Sequence, residues 1–165
     1  MTKAIYPCSF DPPTRGHLDV IDRCRAQFES LVVAIGNNSS KQPLFSPQER
    51  AELLQAETVA WPNVSVVIFQ GLVVDFARAQ GAKVLLRGIR TVGDYEYEFA
   101  MACTNRSFAG EIETFFVMPG EAYMFTAGRL VREVAALGGD VSRFVTPRVA
   151  ARLREKLGPS HAARR

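Results

Sequence analysis

This chain of 165 residues predicts an α/β fold: one domain around a doubly wound, five-stranded parallel sheet. Three observations carry the prediction. Runs such as Leu31-Val32-Val33-Ala34-Ile35 are almost continuously apolar, as in strands buried on both faces of a parallel sheet. Stripes of apolar residues at helical spacing alternate with those runs along the chain. The opening stretch passes from a strand through a turn with two prolines, Pro12 and Pro13, into a helix. A turn of that kind presents backbone N–H groups and a helix dipole to an anion, typically phosphate.

The elements follow in order. Ala4 to Tyr6 reads as the end of a first strand, and Leu18, Val20, Ile21, Cys24 and Phe28 form the stripe of the first helix. Leu31 to Ile35 is the second strand, followed by a polar loop from Gly36 to Phe45. Ser46-Pro47-Gln48-Glu49 opens the next helix as N-cap, first-turn proline and capping-box glutamate, with Leu53, Leu54 and Val59 on its stripe. Val64 to Phe69 is the third strand. A short helix from Gly71 to Gly81 and a fourth strand at Val84-Leu85-Leu86 come next. Asp94 is expected to begin a helix carrying Tyr97, Glu98, Met101 and Asn105, and Thr114 to Met118 is the fifth strand. Helices near Thr126 to Leu137 and from Thr146-Pro147 to Leu157 complete the pattern. In such sheets ligands bind beyond the carboxyl ends of the strands, where the winding reverses. Ser9, Lys41, Gly71 and Arg87 each follow one of the first four strands.

Composition excludes several classes. Apolar residues are 47% and charged residues 22%, as in ordinary globular proteins, and no apolar run approaches a membrane span. Cys8, Cys24 and Cys103 form no CxxC pair, which argues for reduced thiols, a cytoplasmic location and no zinc site. The net charge of +3 suits anionic small substrates. Arg148, Arg152, Arg154, Lys156, Arg164 and Arg165 read as a solvated helix face and a loose tail. Without interleaved aromatics they do not make a nucleic-acid surface.

Ser9-Phe10-Asp11-Pro12 with Thr14-Arg15-Gly16-His17 resembles the signature of the nucleotidyltransferase superfamily that carries a T/HxGH motif. Over residues 3 to 157 the chain is similar to the bacterial phosphopantetheine adenylyltransferases. The resemblance implies a Rossmann-like nucleotidyltransferase domain at residues 1–157, and residues 158–165 read as a flexible tail. It also implies transfer of an adenylyl group from ATP to 4′-phosphopantetheine, giving dephospho-coenzyme A and pyrophosphate. Mg²⁺ would come with the triphosphate, without protein ligands to the metal. Coenzyme A is implied as a feedback inhibitor and a homohexamer as the assembly, with neither nucleic acid nor membrane as partner.

Site residues follow by position. Alone, His17 could be a helix-end histidine with a local hydrogen bond; in its motif the resemblance implies the donor that stabilises charge at the α-phosphate. Lys41, in Lys41-Gln42-Pro43-Leu44-Phe45, resembles the lysine of a K-x-x-[LMI]-F segment that binds the substrate phosphate, although loop lysines are often only solvated. Arg87-Gly88-Ile89-Arg90 suits phosphate recognition, and the resemblance implies Arg87 on the pantetheine phosphate and Gly88, Ile89 and Arg90 on the ATP side. His17, Lys41 and Arg90 are the expected catalytic set. Ser9 is expected to touch both substrates and Phe10 the ATP. In Asp94-Tyr95-Glu96-Tyr97-Glu98 the resemblance assigns Glu98 to ATP, while Asp94 and Glu96 read as first-turn acids favoured by the helix dipole. Val73 and Asn105 are expected on the pantetheine arm.

Two departures stand out. Where the family carries a serine-rich run, this chain has Thr126-Ala127-Gly128-Arg129, which with Tyr123, Met124 and Phe125 is expected to line the triphosphate. Arg129 either contributes charge to the β- or γ-phosphate or turns to water. Cys8 replaces a usual glycine beside Ser9, and either alters the backbone approach or packs. Two rivals remain: a related cytidylyl- or mononucleotide adenylyltransferase, and a regulatory protein without turnover.

Overall fold

In the computed structural model, which describes residues 2–37 and 42–158, the apolar runs become the middle of the sheet. β1 (Lys3–Cys8) buries four consecutive residues and β2 (Ser30–Gly36) buries five, so neither strand has a solvent face. β3 (Val64–Phe69), β4 (Val84–Gly88) and β5 (Glu113–Val117) complete a five-stranded sheet in the order β3-β2-β1-β4-β5. Every pairing is parallel. The chain winds outward from β1 to β3, then crosses back to β4 on the other side. The winding therefore reverses between β1 and β4, where a doubly wound sheet opens its ligand crevice.

Successive residues of one strand serve opposite cores. Ala4, Tyr6, Leu31 and Val33 pack with Val20 and Ile21 of α1 (Arg15–Arg25) and Leu54 of α2 (Pro47–Thr58). Ile5, Val32, Ala34 and Leu85 pack on the other face with Val74 and Ala77 of α3 (Val73–Ala79). Each large side chain moved out of water contributes roughly 1.5–3 kcal/mol. A third cluster of Phe45, Leu53, Val131, Val145, Val149 and Leu153 docks α5 (Gly128–Ala136) and α6 (Pro147–Leu157) beside α2.

Several boundaries differ from the sequence expectation. β1 continues to Cys8, paired with Ile35, so Ser9 leaves the strand at once. β4 continues to Gly88 because β5 supplies partners for Arg87 and Gly88. α4 (Val92–Phe108) begins before Asp94, since Thr91 is the cap and its hydroxyl accepts the Asp94 N–H at 3.1 Å. A 3₁₀ turn, Glu121–Tyr123, precedes α5, which starts at Gly128 rather than Thr126.

α4 buries none of its residues, and with β5 it leaves Tyr97, Phe99, Phe108, Phe115 and Phe116 exposed. Among the described residues no helix is long and apolar enough to cross a membrane.

Candidate active site

The turn after β1 sets the geometry. Phe10 takes a left-handed backbone conformation, φ +50°, uncommon for a side-chain-bearing residue, and its ring is completely buried. That ring lies 5.0 Å edge-on beneath His17 and 5.5 Å from Tyr6. Thr14 caps α1 and shares a reciprocal capping box with His17: the His17 N–H donates to Thr14 Oγ1 at 3.3 Å, and the Thr14 N–H donates to His17 Nδ1 at 3.0 Å. A ring nitrogen that accepts a backbone N–H leaves the proton of the neutral ring on the other nitrogen. Nε2–H is thus aimed away from the cap, 3.6 Å from Cys8 Sγ. Burial pushes the half-buried Cys8 thiol up, but the hydrogen bond from His17, with help from Arg87 and the Phe10 N–H, brings it down to about 6.

Asp11 fastens three elements together. Its two oxygens accept the Leu44 and Phe45 N–H groups, each at 2.9 Å, and Arg132 of α5 pairs with Oδ2 at 3.0 Å. Arg132 also donates to the Asp11 carbonyl. α5 comes so close that a Cβ on Gly128 would stand 3.1 Å from the Asp11 carbonyl oxygen. Arg50 works from α2: only 2% exposed, it donates to the carbonyls of Ser9 (2.6 Å), Ser46 (3.3 Å) and Gly36 (3.5 Å), joining the carboxyl ends of β1 and β2.

Across the crevice, Arg87 Nε and Nη2 donate to the two oxygens of Glu98, each at 2.6 Å, and Nη1 donates to the Pro7 carbonyl. Arg90 Nε meets Asp94 Oδ2 at 3.1 Å and Nη1 meets the Thr126 carbonyl at 2.7 Å. Asp94 therefore orients Arg90 in addition to its place in the first turn. Ala127, the N-cap of α5, makes no side-chain capping bond. Arg129 takes the solvent-facing alternative: its side chain is 83% exposed and bonded to Glu133 at 3.0 Å.

These groups line one cleft of about 810 Å³. It gathers Ser9, His17, Val73, Arg87, Gly88, Arg90, Glu98, Asn105, Tyr123, Thr126, Gly128 and Arg129 of the expected site. Phe10 lies under the wall, and Ile89, Met124, Phe125 and Ala127 stand outside it, Phe125 being 85% exposed. Lys41 lies outside the described residues. Asp11, Arg50 and Arg132 were not expected in the site and also line it. Asp11 belongs to the signature itself, but no local pattern showed that the partners of these three lie far along the chain. Five arginines against three carboxylates give the wall a cationic balance suited to a polyanion. Among the described residues no three His, Cys, Asp or Glu side chains group as metal ligands. Each cleft carboxylate is also already engaged by a guanidinium.

A crevice at the reversal of a parallel sheet that holds a histidine at a helix N-terminus and five arginines suits a phosphate-bearing ligand. Residues 5–134 match the cytidylyltransferase-like family. The chain is 45% identical to the phosphopantetheine adenylyltransferase of Paraburkholderia phymatum over 99% of its own length and 98% of that protein. It is 47% identical to that of Azoarcus sp. over 93% and 94%. It belongs to the phosphopantetheine adenylyltransferase family. Its fold is shared with the nicotinic acid mononucleotide adenylyltransferase of Plasmodium falciparum, with a TM-score of 0.67 at 12% identity over 94% of this chain and 95% of that one.

Proposed function

We propose that the cleft transfers the adenylyl group of ATP to 4′-phosphopantetheine, giving dephospho-coenzyme A and pyrophosphate, the reaction named by its relatives. An oxygen of the pantetheine phosphate attacks the α-phosphorus in line. The new P–O bond forms as the bond to the β-phosphate oxygen breaks, and pyrophosphate carries away the electron pair.

The observation that carries this reading is the Thr14 clamp on His17. It holds Nε2–H toward the cleft as a donor for charge building on the α-phosphate oxygens, with no reorganisation when the reaction occurs. Arg90, oriented by Asp94 and the Thr126 carbonyl, supports the ATP phosphates, and Arg87 the acceptor phosphate. Lys41 is proposed as a further phosphate ligand on its sequence position. Orientation and charge stabilisation supply most of the acceleration, as in other phosphoryl and nucleotidyl transfers.

Mg²⁺ suits this cleft as a companion of the triphosphate, because Asp11, Asp94 and Glu98 are each committed to an arginine. When bound it would neutralise charge on the phosphate oxygens. The homohexamer is proposed on the resemblance; the exposed aromatics of α4 and β5 support association between copies, since such a patch calls for cover. The free cysteines support a cytoplasmic setting.

The test is pyrophosphate release from purified protein with ATP, Mg²⁺ and 4′-phosphopantetheine, run beside CTP and other phosphorylated acceptors. Turnover confined to ATP with 4′-phosphopantetheine is expected. Preference for CTP or for another acceptor would assign a related transferase instead, and silence from ATP-binding protein a regulatory one.

A further inference from the structure

Cys8 meets His17 at the one atom the reaction needs. The Thr14 N–H and hydroxyl engage Nδ1, so the ring has only Nε2–H to give, and Cys8 Sγ at 3.6 Å is the one side-chain hydrogen-bond partner of Nε2 among the described residues. Glycine, the usual residue here in the family this chain resembles, has no atom to offer. The charged and titratable groups facing the sulfur come from four elements: His17 from α1, Arg87 from β4, Arg50 from α2 and Tyr6 from β1. Two of these, Arg87 and Arg50, carry positive charge, and His17 presents a donor N–H. The buried Tyr6 phenol is held protonated well above its ordinary range, so it adds no opposing anion. The surroundings therefore favour the sulfur as a hydrogen-bond acceptor. Cys8 also lines the cleft, where an incoming phosphate could displace it.

We propose that Cys8 is a positioning residue: its sulfur occupies the His17 Nε2 donor in the resting cleft, and the substrate phosphate must displace it before that donor can serve the reaction. The competition makes the sulfur a regulator of how readily the donor is delivered. The inference rests on the role of His17 proposed above, and its test reads the sulfur separately from turnover.

The experiment follows alkylation of each cysteine by iodoacetamide against pH, using mass spectrometry on the folded full chain. The thiolate attacks the methylene carbon, a C–S bond forms and iodide leaves. Cys8 is expected to react with a midpoint near 6, below the ordinary thiol range, with exposed Cys103 followed in the same digests as the internal reference. Both His17→Ala and His17→Gln, the latter keeping an acceptor for the Thr14 N–H, should raise the Cys8 midpoint by at least about one unit. Saturating ATP should slow alkylation of Cys8 roughly tenfold and leave Cys103 unchanged. Cys8→Ala should raise kcat/KM about fivefold by freeing the donor. Cys8 reacting in step with Cys103, indifferent to His17 and to ATP, would overturn the pairing. A Cys8→Ala enzyme with unchanged kcat/KM would overturn the competition. Absence of pyrophosphate release with the alkylation pattern intact would instead count against the assigned reaction, leaving the pairing in place.

Discussion

Arg87 and Glu98 close a bidentate ion pair across the crevice, with both N–H···O distances at 2.6 Å and side chains 25% and 12% exposed. The pair joins the end of β4 to α4, the helix that buries none of its residues. Planar, double and partly withdrawn from water, it should exceed an ordinary surface salt bridge. A double-mutant cycle of Arg87→Met and Glu98→Gln, read by urea unfolding, should give a coupling of about 1–2 kcal/mol. Additive losses would show that the two side chains stand together without stabilising the fold.

Gly128 marks where α5 meets the turn after β1. An alanine there brings its Cβ 3.1 Å from the Asp11 carbonyl oxygen, with the Pro12 carbonyl at 3.7 Å, so backbone must give way. Gly128→Ala should cost about 1–2 kcal/mol, in the range of mild overpacking, and raise the KM for ATP as α5 moves off the cleft. Thermal unfolding and steady-state kinetics check both. A variant with wild-type Tm and KM would mean the contact yields freely.

Asp11→Asn should be more damaging. The carboxylate accepts two backbone N–H groups and pairs with Arg132, and an amide cannot satisfy both N–H groups and the guanidinium. A loss of about 3 kcal/mol in urea unfolding is expected, with Arg132→Met costing less because Asp11 then keeps its backbone donors. Equal losses from the two variants would shift the main burden to the ion pair.

Stability should also depend on the Cys8 thiol. Its folded value lies near 6, below the ordinary thiol near 8.5, so the unfolded chain holds more protons between those values. The contribution is complete above the unfolded value and is lost as pH falls through about 6. Wild-type stability should therefore rise across that window more steeply than that of Cys8→Ala, as measured by urea unfolding at a series of pH values. Parallel curves would show that the folded thiol titrates like a free one.

The sequence made local features legible and left distant ones hidden. Ser46-Pro47 and Thr146-Pro147 announced their helices because capping is written within four residues. The apolar runs announced a sheet buried on both faces for the same reason. The sequence places the start of α4 at Asp94, and only the Thr91 hydroxyl bonded to the Asp94 N–H moves the cap back to Thr91. Arg50 carried no signal: it reads as a polar position of α2, yet it reaches the Ser9 carbonyl 41 residues away. Arg132 reaches Asp11 across 121 residues of chain. Such partners become neighbours only when the sheet brings β1, β2 and α5 to the same edge. The contact between Cys8 and His17 spans only nine residues, but it depends on the left-handed turn at Phe10, which no residue-type pattern foretells.

The central claim is that His17 acts on the transition state, and the most direct measurement is the split between kcat and KM in His17→Ala. With ATP, Mg²⁺ and 4′-phosphopantetheine, kcat should fall about 10²–10³-fold, as for loss of one preorganised oxyanion donor, while KM for ATP stays within about twofold. A rise in KM matching the fall in kcat/KM, with kcat preserved, would make His17 a binding group and contradict the claim.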